Sequence, residues 1–429
     1  MRLRSEISAP GGWLYRIAPS LAGVAVYLGF VAARRINFQF YQKLLSAFDT
    51  LPNIVPFGDT HAVLLALSCG RRGVDVYVRN ACMGGGQYNY SSFFLHAGAY
   101  LPAGPAQTVV VGLLAGGGLL AALVFLPPAQ SRFELGLRIA AIGSSTLVEL
   151  LESANIDIWF FIATLYGVLA LCRGAAGRVL GYGVFALLAA IKFYPAILFA
   201  LLLREARVVF WMVCGTVLVL GGGYIWHFGG GIITALAILP AGPPYNYMFG
   251  AHNLAEGFAV MAGAAHSPLI LPATLVLELL AIYAAWREAP LYGTALFAMD
   301  ETRRLLLLAG ALIMPVCFFG AQNYNYRAVF FLLILPGLCA MARLVPRLAY
   351  RFNGFGLAVL FLMWEPLFRY FAARLAVLFG NGGVELKMMF WLFREFMWWR
   401  VSIFLTALVF AFLAARLPAF LPARHVAET

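Results

Sequence analysis

Apolar residues in this chain run in long blocks broken by charged or amide-rich turns, which is the pattern of membrane helices. The blocks fall near 14–33, 105–126, 137–152, 155–172, 179–191, 195–203, 208–226, 268–286, 305–319, 327–342, 353–364 and 401–418. They predict an all-α polytopic membrane protein of about 12 transmembrane or half-embedded helices, a single integral-membrane unit over residues 1–429. Three longer segments separate them: 34–104, 227–267 and 365–400. All three are read as extracytoplasmic: the first as a long segment containing interfacial helices, and the third as helices lying partly in the outer interface with Arg369, Arg374, Lys387, Arg394 and Arg400 snorkelling.

The short connections set the orientation. With both termini and these loops in the cytoplasm, that side holds 17 of the 30 Lys and Arg residues, including Arg2, Arg4, Arg173, Arg178, Arg204, Arg207 and Arg424. Long segments translocate largely regardless of charge, so the short-loop bias decides. A single span over Val179–Leu203 would place Arg173 and Arg178 opposite Arg204 and Arg207. A hairpin of two short helices, with Lys192-Phe193-Tyr194-Pro195 at its tip, keeps both pairs on one side; proline suits the break.

With 63% apolar and 11% charged residues, the chain is neither a water-soluble globular protein nor a disordered one. The net charge of +12 sits mainly in short loops, so it points to anionic lipid and topology and not to nucleic acid. The six cysteines do not form a disulfide framework. Cys69 and Cys82 lie together in the first outer segment, where a bridge is expected; two separate buried thiols are the alternative. Leu14–Ala33 reads as an uncleaved first helix.

No phosphate loop, zinc-protease motif or nucleophile elbow is present, and no cytoplasmic segment is large enough for a dinucleotide-binding domain. Gly116–Gly118 and Gly221–Gly223 read as close-packing helix faces. The outer His and acids have no metal-ligand spacing, so no cofactor is expected, and the pattern leaves a divalent metal open.

Acid, amide and aromatic residues gather instead on one predicted face. Phe57-Gly58-Asp59 opens a segment that continues through Asp75, Tyr88, Asn89 and Tyr90. Tyr245-Asn246-Tyr247 with His252-Asn253, and Gln322-Asn323-Tyr324-Asn325-Tyr326-Arg327, repeat the composition. An interfacial aromatic belt accounts for the tyrosines but not for the Asn and Gln beside them. Glu149, Glu152, Asn155 and Asp157 form a fourth group at an outer turn, where acids can serve only to solvate the chain. Glu278, mid-span, reads as structural.

These motifs, in this order, resemble the GT-C superfamily of integral-membrane glycosyltransferases, most closely the bacterial polyprenol-phosphate-mannose-type mannosyltransferases. The resemblance rests on Phe57-Gly58-Asp59, Gly73-Val74-Asp75-Val76-Tyr77, Asn80-Ala81-Cys82, Tyr88-Asn89-Tyr90-Ser91, Ala154-Asn155-Ile156-Asp157, Lys192-Phe193-Tyr194-Pro195 and Asn323-Tyr324-Asn325-Tyr326-Arg327. Ser91 stands where the family has proline and Ala154 where it has glycine, and nothing beyond about 345 matches. It implies a bacterial plasma-membrane enzyme that moves a hexose, mannose above all, from a polyprenyl-phosphate donor to a lipid or glycan acceptor outside the cell.

On that reading Arg327 and Lys192, with Tyr194 and Tyr326, hold the donor phosphate. The alternative is that each base only neutralises an acid such as Glu149, Glu152 or Asp157. Asp59, with Asp75 second, is the candidate base, or else only the cap of the helix that follows. Tyr88, Asn89, Tyr90, Glu152, Asn155, Asp157, His252, Asn253 and Asn323 are candidates for sugar or acceptor contact. The competing class is a lipid or sugar transporter, which calls for inverted repeats and paired discontinuous helices. Only the 179–203 hairpin is discontinuous in the sequence pattern.

Overall fold

The computed structural model describes residues 12–48, 50, 55–100, 104–238, 242–245, 248–378 and 383–417. Arg2, Arg4 and Arg424, among the bases expected on the inner face, and Asn246 and Tyr247, lie outside the described residues. The chain is helical almost throughout, and eight of the described helices are long and apolar enough to cross a membrane. The count becomes nine if the bent pair Ser145–Ser153 and Asp157–Leu171 forms one broken span. This is a polytopic membrane architecture.

Five of the expected spans appear close to their expected limits: Trp13–Ile36, Pro105–Phe125, Ile270–Leu291, Glu301–Gly320 and Asn325–Leu344. Others differ for identifiable reasons. The 137–152 block is not one helix. Arg132–Ile142 stops at Gly143, and Ser144 caps Ser145–Ser153 by accepting the Leu147 N–H at 3.5 Å. That helix ends at Ala154 in the left-handed region (φ 44), and the next is turned by 109°.

The expected hairpin is present. Ala175–Ile191 reverses at Lys192-Phe193 into the 3₁₀ helix Tyr194–Arg204. Its base is tied by Tyr182 Oη to Leu201 O (3.3 Å) and by Arg178 to Glu205 (3.1 Å).

The segment 365–400 does not form separate interfacial helices. It belongs to two long helices, Ala349–Leu378 and Gly383–Arg416. Arg394, expected to snorkel, is 1% exposed, and Trp391, Trp398 and Trp399 are buried. Arg400, grouped by sequence with the outer bases, instead pairs with Glu288 (3.2 Å) in the Arg287–Arg304 connection. The expected close packing also fails at Gly221–Gly223. Arg207–Ala237 stands at the edge with only Ala235 buried, and none of the three glycines has a neighbour within 4 Å of a Cβ position. Gly116 does pack: a Cβ there would lie 3.3 Å from Tyr27 and 3.4 Å from Leu151.

The core is the Glu301–Gly320 and Phe331–Leu344 pair, nearly all buried, with Gly383–Arg416 against it. Polar residues separate to two ends. At one, Arg204 binds Glu301 (2.7 Å), Arg303 donates to Pro128 O (2.8 Å) and Arg343 binds Glu134 (3.0 Å). These ties join the short arginine-bearing loops that charge bias placed together. At the other end the hairpin tip meets the starts of Gly58–Arg71 and Asp157–Leu171.

Candidate active site

Asp157 is the centre of this second end. It opens the Asp157–Leu171 helix, where a negative charge is favoured by the helix dipole, and it is fully buried. Its Oδ1 accepts from Lys192 Nζ (3.0 Å) and Tyr194 Oη (3.0 Å), and its Oδ2 from Arg327 Nε (3.1 Å). Residues far apart in sequence are thus drawn to one carboxylate: two from the hairpin tip and one from the 3₁₀ turn Asn325–Phe330.

Asn155 links Asp157 to a second acid. Its Oδ1 accepts the Asp157 N–H (2.9 Å), while its Nδ2 donates to Asp59 Oδ2 (2.7 Å). Thr60 Oγ1 donates to Ala154 O (2.6 Å), so the two turns are clasped together. Asp59 is not the helix cap. Phe57 holds that position in the left-handed region (φ 60), and Asp59 lies in the first turn. Burial pushes the Asp59 carboxyl above the usual carboxylate range, against the hydrogen bond from Asn155 that favours its ionised form.

A cavity of about 300 Å³ opens beside the cations that hold Asp157; Asp59, Asn155 and Asp157 themselves do not line it. Tyr90, Lys192, Tyr194, Tyr326 and Arg327 line its polar side, and Leu236, Val316 and Cys317 its apolar side. Ser91 seats the first long segment on the hairpin through its N–H to Ile191 O (3.3 Å) and its hydroxyl to Ala190 O (2.6 Å). That contact brings the Tyr90 ring to 5.1 Å from Lys192 Nζ. Tyr324 and Tyr326 stack at 5.5 Å.

Arg327 commits only Nε to Asp157, and neither of its Nη groups makes a hydrogen bond among the described residues. Lys192 and Arg327 against Asp157 leave one positive charge in excess. The arrangement can therefore take a singly charged anion, such as a phosphodiester, with a fork and a point charge.

Lys192 and Arg327 pair with an acid, Asp157, as one of the two sequence alternatives had it, and they also line a cavity. Asn89 and Asn323 also reach the cavity wall. Asn323 spends its Nδ2 on backbone carbonyls, Cys317 O and Ala321 O at 2.8 Å, which fixes the end of Glu301–Gly320.

Other candidates lie elsewhere. Asp75 sits in an exposed turn and accepts the Tyr77 N–H (2.9 Å). Tyr88 is buried in a small separate core formed around the bonded pair Cys69–Cys82. Asn253 donates to Met248 O (2.9 Å) and accepts from Gln322 (2.7 Å), and His252 lies beside Thr274 and Glu256.

Glu152 faces away from Asp157. It binds Tyr41 Oη and Arg34 (3.3 Å) in a small pocket with Tyr27 and Phe57. Arg34 and Tyr41 escaped the sequence reading because no motif surrounds them. Among the described residues no three His, Cys, Asp or Glu side chains come together as a metal site. No protein-family model, curated protein or solved structure matches the chain.

Proposed function

We infer that the chain is a membrane glycosyltransferase of the GT-C kind that takes a hexose, mannose first, from a polyprenyl-phosphate carrier. One observation carries this reading. A cation pair with free guanidinium N–H groups lines a partly apolar cavity at the end of the helix bundle, and Asn155 ties Asp157, which that pair binds, to a second carboxylate, Asp59. A lipid-linked sugar phosphate needs those three things together: an anion clamp, a base and an apolar track.

In this scheme Lys192 and Arg327 hold the phosphate, and Tyr90 and Tyr326 offer faces for the sugar. Asp59 takes the proton of the acceptor hydroxyl as that oxygen bonds to the anomeric carbon. The bond from that carbon to the phosphate oxygen breaks, and polyprenyl phosphate leaves toward the clamp. Direct displacement inverts the anomeric centre. The site faces outward, with both termini in the cytoplasm of a bacterial plasma membrane. The acceptor is a lipid or glycan of the cell envelope.

The test is incubation of the purified protein with labelled polyprenyl-phosphate sugars and candidate acceptors. Transfer of label supports the reading, and its absence with every donor and acceptor pair rejects it. Transport is the second reading, and one observation favours it. The 109° break before Asp157 and the hairpin tip are two discontinuous elements meeting at one charged site. Movement of intact donor across a sealed vesicle, with no transfer, would select it.

A further inference from the structure

The bond between Cys69 and Cys82 joins two parts of the chain that surround the site. Cys69 lies in the last turn of Gly58–Arg71, the helix whose first turn carries Asp59. Cys82 lies in the 3₁₀ turn Ala81–Met83, from which the chain runs on to Tyr90, the ring beside Lys192. The core around the bond is small: its buried side chains are Ala66, Cys69, Val76, Met83 and Tyr88. Gly84 and Gly85, just after Cys82, are exposed and take positive φ (60° and 83°), so the loop beyond the bond has backbone freedom.

The two sulfurs are not alike. Cys69 is fully buried, whereas Cys82 is half-buried beside exposed Ala81. The guanidinium of Arg72 reaches both. Its Nη2 lies 2.8 Å from Cys82 Sγ and 3.5 Å from Cys69 Sγ, and its Nε donates to Ser68 O at 3.4 Å. A cation beside a sulfur favours the thiolate, and a disulfide whose leaving sulfur is stabilised in this way exchanges faster. An attacking thiol reaches Cys82, so the sulfur expelled is Cys69. That sulfur sits near the C-terminal end of its helix, where the dipole disfavours an anion. Arg72 supplies the charge that offsets it.

We propose that the Cys69–Cys82 bond is a thiol–disulfide exchange site, opened by a dithiol and closed again by the oxidised form of that dithiol, with Arg72 as the residue that stabilises the departing thiolate. One thiolate of the dithiol bonds to Cys82 Sγ, and the electron pair of the broken S–S bond leaves on Cys69 Sγ. The second thiol of the dithiol then attacks the mixed disulfide and expels Cys82. The two cysteines take up the two protons that the dithiol gives up, and the dithiol ends as a disulfide. Opening frees the loop that leads to Tyr90 from the helix that carries Asp59, and so weakens the hold on the donor. That consequence rests on the transferase reading; the exchange itself does not.

The test uses the full chain in detergent without denaturant, with glutathione and dithiothreitol as probes and peptide mass mapping after alkylation. Glutathione, a monothiol, should stop at a mixed disulfide on Cys82 and leave Cys69 as a thiol. Dithiothreitol should open the bond in the folded protein. Arg72→Gln, a surface change, should slow opening by about three- to tenfold, and Arg72→Lys, which keeps the charge, should open at a rate nearer the parent's. A bond that opens only when the protein unfolds overturns the proposal. So does glutathione on Cys69, or opening in Arg72→Gln as fast as in the parent or faster. Labelled donor should bind the reduced protein more weakly than the oxidised one; equal binding by protein shown to be reduced overturns the link to the site. If donor binds neither form, the transferase reading fails, and the mass mapping still decides the exchange.

Discussion

Replacing Asp59 with Asn separates the roles of a base and a structural acid. The substitution keeps the shape and an oxygen that can still accept from Asn155 Nδ2, now 2.7 Å from Asp59 Oδ2. Two losses follow. A favourable charge in the first helical turn is worth about 0.3–1 kcal/mol. Exchange of a charged acceptor for a neutral one costs on the order of 1 kcal/mol. A gain opposes them, because a neutral amide escapes the desolvation that pushes the Asp59 carboxyl upward. Stability should therefore change by no more than about 1 kcal/mol.

Loss of a general base removes about 10²–10⁴ in rate, equivalent to roughly 3–5.5 kcal/mol of barrier. Turnover should thus collapse while melting temperature and donor affinity stay near those of the parent. The base works only when ionised. A raised carboxyl pKa therefore moves the acid limb of the rate profile upward: activity falls as pH drops through the raised value, above the ordinary carboxylate range. The assay is label transfer across pH, beside donor binding. Parental turnover in folded Asp59→Asn refutes the assignment and moves the search to Asp157.

The other predictions follow from neighbouring groups. Arg327→Lys should bind donor more weakly, since Lys cannot reproduce the fork; unchanged donor affinity in Arg327→Ala removes the residue from the clamp. Asp157→Asn leaves Lys192 and Arg327 side by side without their buried anion and should cost about 3–5 kcal/mol in thermal unfolding; a shift under about 1 kcal/mol would show that the pair has other support. Cys69→Ser opens the bridge to Cys82 and should destabilise the outer segment by about 3 kcal/mol, read as faster proteolysis between residues 57 and 100. A cysteine at exposed Gln87 should react with an impermeant thiol reagent in intact cells and one at Gly174 should not; the reverse pattern inverts the orientation.

The sequence carried the hairpin at Lys192 because two independent local signals agreed there: arginines at both ends of a run too long to be a loop, and a proline at its middle. It also carried the set of residues that meet at Asp157, since each lies in a polar break between apolar blocks. It could not show which acid each base would choose. Glu152 and Asp157 are five positions apart, yet the turn at 154–156 sends one to Arg34 and Tyr41 and the other to Lys192 and Arg327. The long C-terminal helices were obscured for a related reason. Glu365, Arg394 and Glu395 look like interfacial charges in a linear reading. Only the fold shows that they face one another and let the helices continue through 365–378 and 383–400.

Local rules fail most plainly at the two turns that flank the acids. Phe57 and Ala154 are the only non-glycine residues with positive φ among the described residues, at 60° and 44°. That conformation costs an L-residue about 1–2 kcal/mol, and it persists where the surroundings over-determine it. The surroundings here do so. The Phe57 ring fills the space over Gly112, where a Cβ would fall 2.2 Å from ring atoms. The Ala154 carbonyl is held by Thr60. Both turns are thus fixed by contacts from another part of the chain, and each fixes an acid in return. Asp59 follows Phe57 by two residues and Asp157 follows Ala154 by three, with Asn155 spanning the gap between them. The spacing of the two carboxylates is therefore set by these two locked turns more than by helix geometry. That is the kind of pre-organisation a site needs when one acid must stay paired with cations and the other must stay free to take a proton.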